Sequence, residues 1–291
     1  MKIGLGTVQF GTDYGISNQD GKTSLDEIEK ILDVAMHNGI SIVDTAAIYG
    51  TSEEALGKTL LENHRFGIVT KTPRFTSVAI TSDDMQRLED SFFQSLQKMK
   101  QVSIYGLLTH NADDLLSENG HLLFSKMSEL KQKGLVEKIG ISVYTAFQID
   151  QILEKYQIDI IQLPINVFDQ RLLMSGHLSK LKKREVEIHA RSAFLQGLLL
   201  MSPETLPPFF DSIREHLKNY HRTLRQYGLT PVRAALGFLM NIPEIDFIIC
   251  GVNNNHQLKE ICKEAVPVES IDYSNFALSD VSILNPSNWR Y

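Results

Sequence analysis

The sequence predicts an α/β fold, a (β/α)8 TIM barrel built as a single domain over residues 1–291. Three observations predict it. Short β-branched, apolar runs recur about every 36 residues, the spacing that eight strand-and-helix units require in a chain of this length. Segments with helical spacing lie between the runs, and no linker or low-complexity segment divides the chain. Strict alternation of strand and helix indicates a parallel sheet covered by helices.

Eight runs are predicted to be strands because each is short, apolar and rich in β-branched residues. They cover residues 3–6, 40–44, 68–71, 104–108, 138–142, 160–163, 187–191 and 247–250. A doubly wound sheet is the competing fold, and it usually carries the motif G-x-G-x-x-G after its first strand. Here Gly4, Gly6 and Gly11 are spaced differently. The closed barrel is therefore favoured.

The segments between the strands carry helix start signals. Helices are predicted to begin at Ser24, Ser52 and Ser82, each a candidate N-cap followed by acidic residues that suit the helix dipole. Ser24 and Glu27 form a possible capping box. Further helices are predicted near residues 122–133, 146–156, 172–183, 212–227 and 256–264.

Composition excludes several classes of function. A net charge of −6 and a pI near 5.9 give no support to nucleic-acid binding, which normally leaves a basic footprint. The two cysteines, Cys250 and Cys262, do not suggest a secreted disulfide framework. No run reaches membrane-spanning length, and the first residues lack a signal-peptide pattern. We expect a cytoplasmic protein without a metal site, and its oligomeric state is left open.

Four polar residues stand where predicted strands end or just beyond them: Asp44, Tyr49, Lys71 and His110. In a (β/α)8 barrel the carboxyl ends of the strands converge on one face, where the active site is built. Each residue alone also has a structural interpretation, as a turn former, a loop aromatic, a solvated cation and a satisfied histidine respectively. Their occurrence together is what favours a catalytic site.

The chemistry of these four groups suits carbonyl reduction. An ammonium at Lys71 would favour the phenolate of Tyr49 and lower its pKa. Asp44 would keep Lys71 charged, and His110 could donate a hydrogen bond to a carbonyl oxygen. No side chain supplies a hydride, so a nicotinamide cofactor is required.

The segment around Asp44 and Tyr49 resembles a known family signature. Residues 39–57 are similar to G-I-x-x-x-D-T-A-x-x-Y-G-x-x-E-x-x-x-G, the first signature of the aldo-keto reductase superfamily. Members are (β/α)8 barrels that reduce carbonyls with NADP(H), less often NAD(H). The resemblance covers almost the whole chain. It implies Tyr49 as proton donor, Lys71 and Asp44 as the groups that tune it, and His110 as the substrate-orienting donor.

The resemblance also implies residues that hold the nicotinamide. Backbone near Thr7 would border the ring, and Ser142 and Gln162 match the positions that bind its carboxamide. Val143 replaces the usual Asn neighbour of the serine. Residues 190–199 resemble the pyrophosphate loop and contain two further candidates, Arg191 and Ser192. Arg191 stands where many relatives carry an aromatic residue that stacks on the nicotinamide, and a planar guanidinium can also stack.

The last strand is followed by a segment that resembles the adenosine site. There the run containing Asn253 could cap the following helix or contact adenosine. NADP-selective relatives carry a Lys and an Arg at positions that match Gly251 and Gln257, so the usual charge pair is missing. His256 and Lys259 are the candidate substitutes. NADP(H) is favoured from the resemblance, and NAD(H) is possible.

Two other classes of function compete with a reductase. One is a cofactor-binding regulatory subunit with little turnover, and the other is an aldolase or isomerase that uses Lys71 as a Schiff-base amine. For the reductase, polar Gln9, Asn111 and Asn166 suggest a hydroxylated, sugar-like carbonyl substrate. The aromatic side chains Phe168 and Trp289 could line the same pocket or pack in the core.

Overall fold

A computed structural model describes residues 2–61, 63–75 and 78–289. Its centre is a closed barrel of parallel strands in chain order, in which the last strand pairs with the first. The strands are β1 (Ile3–Gly6), β2 (Ile42–Asp44), β3 (Gly67–Lys71), β4 (Ile104–Thr109), β5 (Val136–Ser142), β6 (Ile160–Pro164), β7 (Glu187–Arg191) and β8 (Phe247–Gly251). The predicted (β/α)8 fold is confirmed, and each strand ends within two residues of its prediction.

Helices surround the barrel and connect its strands. The α-helices are α1 (Val8–Gly11), α2 (Leu25–His37), α3 (Ser52–Thr59), α4 (Ser82–Met99), α5 (Ala112–Leu116), α6 (His121–Gln132), α7 (Ala146–Lys155), α8 (Arg171–Met174), α9 (His177–Lys182), α10 (Arg214–Gln226), α11 (Pro231–Met240), α12 (Asn255–Glu264) and α13 (Val281–Leu284). Short 3-10 helices cover Leu195–Leu200, Pro203–Thr205, Pro208–Ile213, Tyr273–Phe276 and Pro286–Asn288. Within the described residues, none of the helices combines the length and the apolar character that crossing a bilayer would take.

Three of the differences from the sequence prediction have a clear local cause. The segment predicted as one helix over 172–183 forms α8 and α9, because Gly176 between them adopts a φ of 74°. Helix α11 was not predicted, since it is apolar on most sides and shows no amphipathic stripe. Helix α4 is capped by Thr81 instead of Ser82, with Asp84 completing a capping box.

The barrel interior is divided into an apolar layer and a polar layer. The apolar layer consists of Ile42, Val69, Leu108, Ile160 and Ile249. Toward the amino ends of the strands, Glu187 accepts hydrogen bonds from Tyr105 Oη at 2.7 Å and Lys138 Nζ at 2.5 Å. Barrel positions at this end serve stability, whereas the carboxyl ends carry function. The site therefore lies above the apolar layer.

Candidate active site

The carboxyl ends of the strands bring the predicted residues to one rim of the barrel. Asp44, Lys71 and Ser142 are the last residues of β2, β3 and β5, and His110 directly follows β4. They line a cavity of about 770 Å³. All twelve residues predicted for catalysis or cofactor binding line this same cavity: Asp44, Tyr49, Lys71, His110, Thr7, Ser142, Gln162, Arg191, Ser192, Gly251, Asn253 and Gln257.

A buried ion pair forms the floor of the cavity. Lys71 Nζ donates to both carboxylate oxygens of Asp44 at 2.8 Å and to the carbonyl oxygen of Thr45 at 2.8 Å. These three bonds use all three protons of the ammonium. Burial lowers the pKa of Lys71, and the carboxylate of Asp44 opposes that shift. An amine committed in this way is a poor candidate for Schiff-base chemistry.

Gln162 joins this pair from the opposite side of the barrel. Its Nε2 donates to Asp44 Oδ1 at 2.7 Å. Among the described residues its Oε1 has no hydrogen-bond partner. Because a carboxylate can only accept, Asp44 binds the NH₂ end of the amide and leaves the oxygen end to accept a hydrogen bond from a ligand. Ser142 is the strand partner of Gln162 in the register of β5 and β6. The two side chains are thus held next to each other on the rim.

Tyr49 reaches the same place from the turn after β2. The ammonium of Lys71 lies 5.2 Å from the centroid of its ring. The ring of His110 lies 6.0 Å away, centroid to centroid, and nearly perpendicular at 88°. The turn is held by a close backbone approach, because a Cβ added at Gly11 would lie 1.7 Å from the carbonyl oxygen of Tyr49. Gly50, next in the chain, has a φ of 55°.

The pKa of Tyr49 shifts in the opposite direction to the sequence expectation. Burial, together with the negative charge of Asp44, raises the pKa of Tyr49. We expected the ammonium of Lys71 to lower that pKa, and this expectation is wrong in direction. The reason is that Asp44 neutralises the ammonium and that the partly buried phenol is poorly hydrated. Tyr49 is therefore a fully protonated phenol at neutral pH.

His110 is a neutral imidazole. Burial, with the positive charges of Lys71, Arg74 and Arg191, lowers its pKa to about 3. Its Nδ1 is buried without a hydrogen-bond partner, while its backbone N–H donates to Thr72 Oγ1 at 3.2 Å. A buried N–H without an acceptor is costly, so the ring proton is better placed on Nε2.

Two of the predicted cofactor residues have well-defined structural partners. Thr7 is fully buried, and both its N–H and its hydroxyl donate to the carbonyl oxygen of Asp44 at 3.0 Å. Arg191 extends toward β5, where it donates to the carbonyl oxygen of Val143 at 3.1 Å. Its guanidinium lies 4.2 Å from the ring centroid of Tyr144. One face of the guanidinium is thus already stacked.

At the opposite end, which we call the far end, the cavity is bordered by α12 and the loop after β8. Gly251 lies beneath the side chain of Gln9, whose Oε1 is buried without a partner. The side chain of Asn253 donates to Asn18 Oδ1, and its N–H donates to Gln257 Oε1 at 2.8 Å. The cap of α12 is the neighbouring Asn254, which accepts from the N–H of Gln257 at 3.0 Å.

Charge is unevenly distributed in the cavity wall. Among the described lining residues, the lysines and arginines are Lys71, Arg74 and Arg191, and the carboxylates are Asp44 and Glu260. Glu260 lies on α12 at the far end. His256 and Lys259, the suggested substitutes for the missing charge pair, are not in the lining.

A loop that sequence reasoning missed closes over the middle of the cavity. Tyr14 accepts a hydrogen bond from Gln196 Nε2 at 3.1 Å, and a Cβ added at Gly197 would meet Ser17 Oγ at 2.0 Å. This loop follows β1 and touches the loop after β7 across the cavity. Its sequence lacks periodicity, and only its place after a strand end could have indicated a role.

The residues suggested for the substrate pocket divide into two groups. Gln9 and Asn111 line the cavity. Asn166 is fully buried, and its Oδ1 accepts hydrogen bonds from the N–H groups of Phe168 and Asp169 in its own loop. Its Nδ2 donates to the carbonyl oxygen of Ser192, in the loop after β7, at 3.1 Å. Phe168 is buried against Tyr220, and the Trp289 ring packs against Phe210. These last three are structural.

The cavity fits a nicotinamide dinucleotide on its own chemistry. Unpartnered polar atoms lie on its wall, including Gln162 Oε1 and the buried atoms Gln9 Oε1 and His110 Nδ1. Apolar side chains such as Phe194 and Val232 also line the cavity, and this mixture of polar and apolar groups suits a ligand with a reactive ring and a distant base.

Comparison with known proteins gives a consistent result. Residues 2–276 match the model of the Aldo/keto reductase family. The aldo-keto reductase YhdN of Bacillus subtilis is 26% identical over 290 residues, which cover 89% of this chain and 83% of that protein. The holo structure of aldo-keto reductase AKR11C1 from Bacillus halodurans superposes with a TM-score of 0.74 at 20% identity, and the match covers 94% of this chain and 90% of that chain. The structure of the glycerol dehydrogenase AKR11B4 from Gluconobacter oxydans superposes with a TM-score of 0.70 at 19% identity, and the match covers 94% of this chain and 88% of that chain. None of these matches supports the alternative of a regulatory subunit.

Proposed function

Since the chain belongs to the aldo/keto reductase family of NAD(P)-dependent oxidoreductases, we propose that it reduces an aldehyde or ketone to an alcohol with Tyr49 as the general acid. The observation that carries this proposal is the grouping of Tyr49, His110 and the Lys71–Asp44 pair around one cavity. A proton donor, a neutral hydrogen-bond donor and a buried ammonium are the groups that a carbonyl needs as its oxygen becomes negative.

Each group has a separate task in the proposed reaction. When bound, a reduced nicotinamide supplies the hydride that the carbonyl carbon receives. Tyr49 gives its phenolic proton to the carbonyl oxygen and later regains one from solvent. The Lys71–Asp44 pair holds an ammonium 5.2 Å from the centroid of the phenol ring, and the carboxylate keeps that amine protonated and in place beside Tyr49. General acid catalysis of this kind contributes about 10²- to 10⁴-fold.

His110 orients the carbonyl in this proposal. Because its pKa is about 3, the ring stays neutral and donates one hydrogen bond from Nε2 without carrying charge. Loss of one such donor typically costs about 3 kcal/mol of transition-state stabilisation.

The rim residues are proposed to hold the nicotinamide. Gln162 keeps its N–H on Asp44, so its Oε1 is free to accept from the carboxamide, and Ser142 offers a hydroxyl beside it. Thr7 borders the ring through its backbone. Arg191 lies at the same end, and Ser192 begins the loop that would hold the pyrophosphate.

The lining of the far end bears on the choice of cofactor. The sequence favoured NADP(H), but no described lysine or arginine of α12 lines this end, and the carboxylate of Glu260 does. A carboxylate accepts hydrogen bonds from a ribose diol and repels a phosphate. We therefore propose NAD(H) as the preferred cofactor.

The substrate is proposed to carry hydroxyl groups. Gln9 and Asn111 line the cavity and present amides that can bind hydroxyls. The similar structure named a glycerol dehydrogenase is consistent with such a substrate.

The proposal is tested first by measuring the binding of NADH and NADPH through quenching of protein fluorescence. The cofactor that binds more tightly is then used to assay the reduction of a panel of carbonyl compounds. We expect NADH to bind and at least one hydroxylated aldehyde or ketone to be reduced. Binding of cofactor without turnover of any carbonyl in the panel would overturn the reductase proposal.

A further inference from the structure

The catalytic end of the cavity carries an excess of positive charge in a chain whose net charge is −6. Lys71 is neutralised by Asp44, with which it forms two 2.8 Å bonds. Arg74 and Arg191 also line the cavity, and neither forms an ion pair with a carboxylate among the described residues. His110 adds no charge. Within the part of the chain that the structure describes, two guanidinium charges therefore have no counterion.

The two arginines differ in their contacts with the rest of the protein. Arg191 is held by the carbonyl oxygen of Val143 and the ring of Tyr144. Arg74 lies on the loop after β3, three residues beyond Lys71, and is exposed. Within the described part of the chain it has neither a hydrogen-bond nor an ion-pair partner. Its five N–H donors are free to bind a ligand.

Asp114, a carboxylate whose pKa Arg74 influences, already accepts hydrogen bonds from other groups. Asp114 accepts from Asn111 Nδ2 at 3.2 Å and from the N–H of Phe75 at 3.4 Å, and it is nearly fully buried. Burial raises the pKa of Asp114 to about 6, so it is a weak counterion near neutral pH. No salt bridge joins Asp114 to Arg74.

We propose that Arg74 is a substrate-binding residue that recognises an oxyanion, a carboxylate or a phosphate, on the carbonyl substrate. This assignment rests on the proposed reductase function and specifies its substrate class. A guanidinium binds either anion through paired N–H donors and fixes the orientation of the ligand. With Arg74 at the mouth and Tyr49 inside, the anion lies outward and the carbonyl points inward. Arg191 adds to the attraction of the anion from the opposite wall.

The first experiment compares pairs of carbonyl substrates in which one member carries an anionic group and the other does not. D-Glyceraldehyde 3-phosphate is paired with D-glyceraldehyde, and succinic semialdehyde with butanal, so that the two arms separate phosphate from carboxylate. We expect kcat/KM to be at least tenfold higher for the anionic member of at least one pair. Arg74→Gln should lower that value at least tenfold, mainly through KM, and leave the neutral member within twofold. Arg74→Lys should recover part of the loss.

Arg225→Gln is the matched control, because Arg225 is exposed on α10 and is not in the cavity lining. This variant should leave kcat/KM unchanged for both members of both substrate pairs. An equal effect of Arg74→Gln on charged and neutral substrates would overturn the proposal, as would a wild-type preference for the neutral members of both pairs.

A second measurement does not depend on turnover. Succinate and glycerol 3-phosphate are titrated calorimetrically into the protein with and without NAD⁺, with glycerol as the neutral probe. We expect at least one of the two anions to bind, and we expect Arg74→Gln to raise its Kd at least tenfold. If an anion binds through Arg74 while no carbonyl is reduced, the anion site stands and the reductase proposal fails. If neither anion binds, or if Arg74→Gln changes nothing, Arg74 does not recognise an oxyanion.

Discussion

The ammonium of Lys71 lies 2.8 Å from each carboxylate oxygen of Asp44, at a depth where both side chains are almost completely buried. Taking two charges out of water is expensive, and their attraction returns that cost only when the geometry and the remaining hydrogen bonds are good. Here Thr45 and Gln162 supply those bonds. The pair is a fixed electrostatic element of the site.

This geometry predicts a non-additive effect on stability. Asp44→Asn or Lys71→Met alone leaves an uncompensated buried charge, and each should lower the free energy of unfolding by about 3 to 5 kcal/mol. The double variant should lose clearly less than the sum. Urea unfolding measures the three values. The partly exposed pair Lys98 and Glu54 is the control, where single changes should cost less than at the buried pair, about 1 kcal/mol or under. Additive losses at the buried pair would contradict this view.

Tyr49→Phe tests the proton donor. The variant keeps the ring and loses only the hydroxyl, so kcat should fall by at least about 10²-fold while NADH affinity stays within a factor of about three. Steady-state rates and a fluorescence titration measure the two quantities. Tyr227→Phe, at an exposed tyrosine outside the cavity lining, should change neither. Near-wild-type turnover by Tyr49→Phe would exclude Tyr49 as the acid.

The rate of reduction should depend weakly on pH. A general acid must be protonated, so activity is lost as pH rises through its pKa, and burial raises the pKa of Tyr49 above its ordinary value of about 10. A neutral histidine is lost as pH falls through its pKa, which is about 3 for His110. We expect kcat/KM to vary less than about threefold between about pH 6 and pH 9. A transition near pH 6.5, typical of an ordinary histidine, would show that His110 titrates freely.

Most of the fold, and the face of the barrel that carries the candidate site, could be predicted from the sequence, because both depend on local sequence patterns. Each strand is a short apolar run, so its end can be found to within two residues. Asp44, Lys71 and His110 then meet because parallel strands in a barrel end on one face. The direction of the pKa shift of Tyr49 could not be predicted in this way. It depends on burial and on a partner that neutralises Lys71, and both are properties of the packed structure.

Contacts between distant segments explain what else was missed. Gln162 is separated from Asp44 by 118 residues, and nothing in either segment shows that the amide donates to the carboxylate. Arg74 and Glu260 look like ordinary surface charges in the sequence, and only the shape of the cavity gives them a role. Asn166 is polar and follows a strand, which suggests a substrate residue, yet its side chain bonds to its own loop and to the loop after β7.

Gly11→Ala tests the backbone approach that positions Tyr49. The added Cβ would lie 1.7 Å from the carbonyl oxygen of Tyr49 and 2.5 Å from the backbone nitrogen of Ser52, so the turn must move. A displacement of about 1 Å at a catalytic group can cost about 10²-fold in rate, and we expect a fall in kcat of that order. The control is Gly57→Ala, which creates a clash of 1.9 Å with the carbonyl oxygen of Lys98 between α3 and α4.

Both glycine variants should be less stable than the wild type, as thermal unfolding would show. Only Gly11→Ala should lose kcat when the two are compared well below their unfolding temperatures. Equal losses of kcat would mean that the effect is a general consequence of destabilisation.

Glu260 should decide the preference between the two nicotinamide cofactors. We propose that its carboxylate faces the adenosine ribose, where it favours a free diol and repels a 2′-phosphate. The wild type should bind NADH at least about tenfold more tightly than NADPH. Glu260→Lys should reverse or abolish that ratio, and Glu260→Gln should reduce it. Fluorescence titration gives both affinities without turnover. Glu269→Lys makes the same charge change at an exposed residue outside the lining and should leave the ratio unchanged. Tighter binding of NADPH by the wild type would mean that a cation outside the described lining reaches the phosphate, and the assignment of NAD(H) would then be wrong.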